Sequence, residues 1–345
     1  MFMLTRYSFA CILLLGSSLL KAQDIHFSQT LMTPLLLNPA QAGSFSRMRV
    51  VTNQRSQWKS IVSPYTTSMV SFDMAVDQGN KGNKKGKLAF GSLVFYDKAG
   101  EARLRTFQAN VYFAYHIKIA RNNYLGAGIY GGFLQHQLDY SGLQWMNQFD
   151  GTGFNPSLPS NEPPLNNIRG TADFGAGINY SFKKGERYMS ANDHKRLDAG
   201  LSVSHINRPV NSFYTSTERL DMKFTGYLSG IIGKQNSRFA SLPQLIYMKQ
   251  GAHAELILGT LLRYEVKEAP RHTNFVQASA ISLGVHYRNK DAFIASVLIE
   301  ISKFAIGLSY DITASKLNEG SGRPGAFEVS LRFLKPNPLS THTVN

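Results

Sequence analysis

The sequence predicts an all-β chain closed into a transmembrane antiparallel barrel of about fourteen strands. Three observations predict it. Apolar and polar residues alternate with a period of two through most of the chain, as half-exposed strands require. The alternating runs are long, often about ten residues or more, where soluble strands usually hold about 5–6. Aromatic residues sit near the ends of the apolar faces, as girdles do at the two membrane interfaces. A soluble sandwich would turn the same faces inward onto each other. Polar faces rich in Gly, Ser and Asn fit a crowded lumen wall better.

Composition agrees. With 43% hydrophobic and 12% aromatic residues among 345, disorder throughout is excluded. No stretch offers the roughly 18 consecutive apolar residues of a transmembrane helix.

Residues 1–23 read as a secretory signal peptide. Arg6 gives the positive start, "FACILLLGSSLL" (Phe9 to Leu20) the short apolar core, and Ala22 the small residue near the cut. About a dozen apolar residues are too few for a membrane anchor. The single cysteine, Cys11, falls inside this leader. The mature chain therefore has no disulfide, no Zn–Cys site and no thiol nucleophile. The leader also takes Arg6 and Lys21, so the formal charge of +15 becomes +13. An exported chain does not meet nucleic acid, so the basic balance points to anionic membrane or to a protein partner.

Residues 24–45 follow as a segment of their own. "SQTLMTPLLLNPAQAGS" (Ser28 to Ser44) is too apolar for an exposed linker and too broken for regular structure. Pro34 and Pro39 remove backbone donors and fix φ. Asn38 is suited to cap a turn, and Gly43 to release the chain into the first strand. Leu31, Met32, Leu35, Leu36 and Leu37 are expected to seat on the inner wall at the periplasmic mouth, as a plug. The alternative is a plain lead-in to the first strand.

The barrel is expected over 46–334, with strands near 47–57, 65–76, 87–97, 102–118, 123–138, 170–183, 197–206, 219–233, 238–249, 252–266, 274–288, 291–301, 303–312 and 325–334. Fourteen is even, as bacterial barrels require. "FAIGLSYDI" sets Phe304, Ile306, Leu308, Tyr310 and Ile312 outward against Ala305, Gly307, Ser309 and Asp311. "GTADFGAGINYSF" sets Ala172, Phe174, Ala176, Ile178, Tyr180 and Phe182 against Asp173, Gly175, Gly177, Asn179 and Ser181. "FQANVYFAYHIK" puts Phe113 and Tyr115 on one face and Gln108, Asn110, Tyr112 and His116 on the other. "AFEVSLRF" ends on Phe333, an aromatic like the terminal signal of outer-membrane barrels, and a tail of 335–345 follows.

With a periplasmic N-terminus, the longest outward connections are 139–169, 207–218 and 313–324. The first carries Trp145, Phe149 and Phe154 as apolar anchors for a partner. The opposite side carries Lys81, Lys84, Lys85 and Lys87, then Lys183, Lys184, Arg187, Lys195 and Arg196. These suit either inner-leaflet headgroups or a periplasmic docking face.

Catalytic signals are weak. "GAGIYG" (Gly126, Gly128, Gly131) matches a dinucleotide fingerprint on paper, but it lies inside an alternating strand rather than between a strand and a helix. His26, His116, His136, His205, His253, His272 and His286 are scattered, with no nucleophile elbow or paired-histidine motif. No catalytic, cofactor or metal site is assigned.

The opening stretch, with "NQRSQWKSI" and "PYTTSMVSFD", resembles the PorP/SprF family of Bacteroidota. Its members are membrane proteins linked to type IX secretion and gliding motility. Phe27, Ser28, Gln29, Pro34, Asn38, Pro39, Ala42 and Gly43 carry the resemblance, then Arg55, Gln57, Trp58, Thr67 and Ser71. "LPQLIYMKQGA", "LGVHYRNKDAF", "AIGLSYDI" and "FEVSLRF" extend it over nearly the whole mature chain. Gln41 departs from the aromatic usual after "NPA". "EVKEAPRHTNF" is longer than the usual turn, and "GRPGAFEVSL" lacks the common "GSHE". The resemblance implies a non-enzymatic outer-membrane barrel that supports secretion or surface attachment of type IX cargo. That cargo would be a gliding adhesin or a surface protein with a C-terminal targeting domain. It also implies a periplasmic peptidoglycan-binding lipoprotein as partner, and no cofactor. The rival from another class is a passive diffusion porin, which needs a wet lumen with opposed charges. The small polar faces predict a weakly charged, plugged lumen instead.

Overall fold

Long alternating strands bury their backbone polar groups in a bilayer only if every strand pairs on both sides. Here every strand does. The computed structural model describes residues 24–57, 64–76, 86–139, 143–162, 168–184, 195–213, 218–233, 237–267, 279–314 and 325–335. The strands are β1 (Met48–Gln57), β2 (Tyr65–Val76), β3 (Gly86–Ala99), β4 (Leu104–Ala120), β5 (Asn123–Gln137), β6 (Ile168–Lys184), β7 (Lys195–Ser204), β8 (Lys223–Gly233), β9 (Phe239–Gln250), β10 (His253–Lys267), β11 (Ser279–Arg288), β12 (Ala292–Ile301), β13 (Phe304–Thr313) and β14 (Ala326–Lys335). Each pairs antiparallel with its neighbours in sequence. β1 closes on β14 from Met48↔Lys335 to Gln57↔Ala326, so no edge strand is left.

The fourteen-strand closed barrel is as predicted. Most boundaries shift by one or two residues, β8 starts four residues and β11 five residues later than expected, and two of the shifts have a local cause. β7 stops at Ser204, because His205 (φ 57) and Arg208 (φ 43) turn the chain into left-handed conformations. β8 starts at Lys223, because Arg219 pairs with Val210 inside the connecting loop. The leader, residues 268–278 and the tail beyond Lys335 lie outside the described residues.

Alternation assigns the two faces. On β13, Phe304, Ile306, Leu308, Tyr310 and Ile312 are exposed outward, while Ala305, Ser309 and Asp311 are buried. The glycines of "GAGIYG" sit in the wall of β5 between exposed Leu125, Ile129 and Phe133. In water so much exposed apolar surface would be an aggregation hazard. On a closed barrel it is the lipid-facing band. Aromatic pairs mark its edges: Tyr287–Phe293 at one end, Phe239–Tyr264 and Phe304–Phe333 at the other.

The barrel has two distinct ends. Met48 and Lys335 lie at the terminal end, which has the two-residue connections 121–122 and 302–303. The loop end carries the longest connections, 138–167 and 205–222.

The lumen is not weakly charged, contrary to the sequence expectation. Inward side chains form the ion pairs Arg49–Asp73, Arg196–Asp198, Arg263–Glu300 and Arg332–Glu300, and a larger cluster around Arg55 and Arg288. The charges lie one or two to a strand, at inward polar positions, as Arg49 and Arg55 do on β1 and Arg196 and Asp198 on β7. A single strand therefore shows only a polar face, and barrel closure collects the charges.

Candidate functional site: the segment inside the lumen

Residues 24–44 were expected at the mouth. They instead run the length of the lumen. At the loop end, the Asp24 backbone N–H donates to Gln250 (3.0 Å) and its carboxylate meets His205 (2.7 Å) and Lys223 (3.4 Å). At the terminal end, Gly43 N–H donates to Asp73 (2.8 Å) and Lys183 donates to the Ser44 carbonyl (2.6 Å). The chain then turns and leaves as β1. The physical reason is content: with so many apolar side chains and so few charges, the segment is more stable against an inner wall than in a watery mouth.

The upper half of the segment is held by charge. Ser28 and Gln29 N–H donate to the two oxygens of Glu328, at 2.8 and 3.2 Å. Ser28 Oγ donates to Asp311 (2.7 Å) and accepts from Arg55 (2.5 Å) and Arg288 (2.7 Å). Arg55 and Arg288 also bind Asp311 directly, at 2.9 and 3.0 Å, and Arg55 lies 3.4 Å from Glu328. Gln29 donates to the Glu328 carbonyl and accepts from Ser330. All four charged side chains are buried. Buried charges persist only when paired. Each charged side chain of this cage has an ionic partner around one central serine, while Asp311 Oδ1 and Arg288 Nε lack a hydrogen bond among the described residues. Ser28, Gln29 and Arg55 thus meet in space. Asp311, Glu328 and Arg288 complete the cage and were not singled out from sequence. The available signal was two acidic residues at inward positions of consecutive strands.

The lower half is held by shape. Leu35 packs with Leu93, Phe95, Tyr112 and Tyr130, joined by Phe27 from the upper half, while Met32 packs with Leu242, Leu261 and Leu298. Pro34 opens a four-residue helix, α1 (Pro34–Leu37), and Pro39 opens a 3₁₀ turn. Proline is favoured at such first positions because its missing N–H has no partner to lose. Asn38 caps that turn by accepting from Ala40 N–H (2.8 Å). Its amide donates to the wall carbonyls of Ile178 (2.9 Å) and Leu201 (3.2 Å). The turn lies so close to β5 that a Cβ on Gly128 would come 2.6 Å from the Ala40 nitrogen. Gly43 has φ +61, and a Cβ there would come 2.6 Å from Ala89 Cβ. Both positions require glycine.

A second polar cluster ties the start of the segment to the loop end. His205 bridges Asp24 and Asp173 (2.7 and 2.8 Å), and Asp173 accepts from Tyr130 (2.9 Å) and Gln108 (2.8 Å). Burial lowers the His205 pKa, but the charges and hydrogen bonds of Asp24 and Asp173 outweigh it and raise it to about 9. Burial raises the Asp24 carboxyl, and the charges of His205 and Lys223 outweigh that and hold it well below the usual range.

The other sequence candidates fall elsewhere. Gln57 ends β1, paired with Tyr65 and Ala326. Trp58, Lys81, Lys84, Lys85 and Arg187 lie outside the described residues. Lys183 is engaged with Ser44 and lies 5.5 Å over the Tyr124 ring, whereas Lys184 is exposed at the terminal rim. In the long loop, Phe149 bridges to Phe154, and the Asp150 carboxylate accepts from Thr152 and Gly153 N–H. Met146, Phe149 and Phe154 are exposed, and Trp145 is half-buried.

Solved structures of similar shape are outer-membrane barrels at low identity. The TodX monoaromatic hydrocarbon channel is 10% identical, with 87% of this chain and 92% of that one covered and a TM-score of 0.45. A Pseudomonas aeruginosa FadL homologue is 11% identical, with 86% and 92% covered and a TM-score of 0.41. BamA from Haemophilus ducreyi is 9% identical, with 84% and 70% covered and a TM-score of 0.41. No curated protein matches the sequence. Residues 19–333 match the family model for the type IX secretion system membrane protein PorP/SprF. The chain belongs to that family and is an outer-membrane β-barrel of type IX secretion.

Proposed function

We propose that this barrel supports the secretion or surface attachment of a type IX cargo as a closed, non-enzymatic scaffold. The cargo would be a gliding adhesin or a surface protein with a C-terminal targeting domain. The observation that carries this reading is the lumen, traversed from end to end by residues 24–44, which are held at the loop end by ion pairs of Asp24 and at the terminal end by hydrogen bonds with Asp73 and Lys183. A diffusion porin needs a water-filled path, and this arrangement disfavours one. The work then falls to the two rims. The loop end is assigned to the cell surface, where Met146, Phe149 and Phe154 offer apolar anchors to cargo. The terminal end is assigned to the periplasm, after cleavage of the leader over 1–23. Its exposed Lys184 would face a periplasmic peptidoglycan-binding lipoprotein.

Deletion of 144–164 tests this. The expected result is a correctly inserted barrel with less cargo at the surface and no conductance in planar bilayers. Normal cargo display from the inserted variant refutes the loop's role. Steady ohmic conductance of the unaltered protein refutes the closed scaffold.

A further inference from the structure

A concavity of about 600 Å³ lies on the outside of the barrel, in the lipid-facing wall of β3–β7. Tyr115, Ala127, Ile129, Ala176, Ile178 and Leu201 line it. Ala127 and Ala176 are outward positions where the neighbouring outward residues are large, so the wall is recessed between Ile129, Ile178 and Leu201. This surface sits in hydrocarbon, so a lipid chain must cover it.

Two lysines stand at the terminal end of the same strands. Lys184 and Lys195 are paired across β6–β7 and both are exposed. Both have outward parity, Lys184 with Ile178 and Phe182, Lys195 with Leu197 and Leu201. From Ile178 to Lys184 is six residues, roughly 20 Å along a strand. At the usual barrel tilt that is about 15 Å along the membrane normal, the hydrocarbon depth of one leaflet. Among the described residues, the carboxylates at this end are buried or paired, Glu265 being buried in the end of β10. Asp73 and Asp198 are buried against Arg49 and Arg196, and Glu300 is tied to Arg263 and Arg332.

We infer that this wall is a seat for one anionic glycerophospholipid. Its headgroup phosphate lies between Lys184 and Lys195, and an acyl chain lies in the recess. In hydrocarbon the hydrophobic effect does not distinguish a seated chain from a free one. Retention comes from van der Waals contact on three sides of the chain and from paired cations at headgroup level. The inference does not depend on the closed-scaffold proposal, since it concerns the outer wall alone.

Native mass spectrometry of the full-length barrel in mild detergent tests it, with phosphatidylglycerol, phosphatidylethanolamine or lipid A added. The expected result is one retained phosphatidylglycerol, with at least tenfold less phosphatidylethanolamine or lipid A. Ala127→Phe with Ala176→Phe fills the recess and abolishes retention, while Ala295→Phe on the lipid face of β12 leaves it unchanged. Lys184→Gln with Lys195→Gln removes the preference for phosphatidylglycerol. Heat-modifiability checks that each variant is a closed barrel, and if the recess-filling pair does not fold, the lysine pair decides. Equal retention of all three lipids, preference for lipid A, or no retained lipid in the unaltered protein overturns the proposal.

Discussion

Ser28 and Asp311, 283 residues apart in the chain, share a 2.7 Å hydrogen bond inside the barrel. That contact joins the N-terminal segment to the penultimate strand. The cage is complete only in the closed barrel, because Arg55 of β1 and Glu328 of β14 belong to it. The N-terminal segment therefore reports on closure.

Arg55→Met is expected to be the most damaging change in the cage. It leaves Asp311 and Glu328 buried with one cation fewer, at a cost of about 3–5 kcal/mol. Ser28→Ala removes only a hydroxyl and should cost about 1–3 kcal/mol. Urea unfolding in detergent, followed by heat-modifiability, ranks the two. Equal or reversed costs contradict the assigned roles.

Leu35 is buried and Leu36 partly so, both packed with the cluster around Leu93 and Tyr112. Leu35→Asp with Leu36→Asp places two carboxylates there without partners, which is costly. The segment should detach and become cleavable between Asp24 and Gly43, and the emptied barrel should begin to conduct. Equal cleavage of the unaltered protein shows that the segment is not held.

Leu308 lies on the lipid face and Ser309 on the lumen face of β13, where the Ser309 hydroxyl has no hydrogen-bond partner among the described residues. Leu308→Arg should cost about 2–4 kcal/mol near the membrane midplane. Ser309→Ala should be nearly neutral. Equal tolerance at both positions in a heat-modifiability assay contradicts the register.

The bridge from His205 to Asp24 sets a pH window. The folded His205 pKa of about 9 lies above its ordinary 6.5, so its contribution is complete below about 6.5 and lost as pH rises through about 9. The folded Asp24 pKa is depressed, so its contribution is present above 3.8 and is lost as pH falls through the lowered value. Hydrogen exchange at residues 24–28 should quicken above pH 9 in the unaltered protein, and His205→Gln should exchange quickly at pH 7 as well. A rate that follows only the intrinsic pH dependence rules the bridge out.

Much of this was legible from residues alone. Local alternation fixes which side chains share a face, because the side-chain period of a strand is two wherever it pairs. That gave the strand count, the lipid face of β13 and the wall position of Gly128. The two prolines and the leucine run of 31–37 marked the segment before β1 as something other than a strand, and Asn38 as a cap.

Only the closed barrel decided the rest. Asp73, Asp173, Asp311 and Glu328 each read as one polar residue on an alternating strand, so the lumen looked weakly charged. Their partners lie on other strands or in the threaded segment, at separations no local pattern encodes. The depth of that segment was settled the same way. Apolar content shows that Leu35 must be buried somewhere. The shape of the lumen, the space above Gly128 and the cage around Ser28 determine that it is buried along the whole length of the barrel rather than at its mouth.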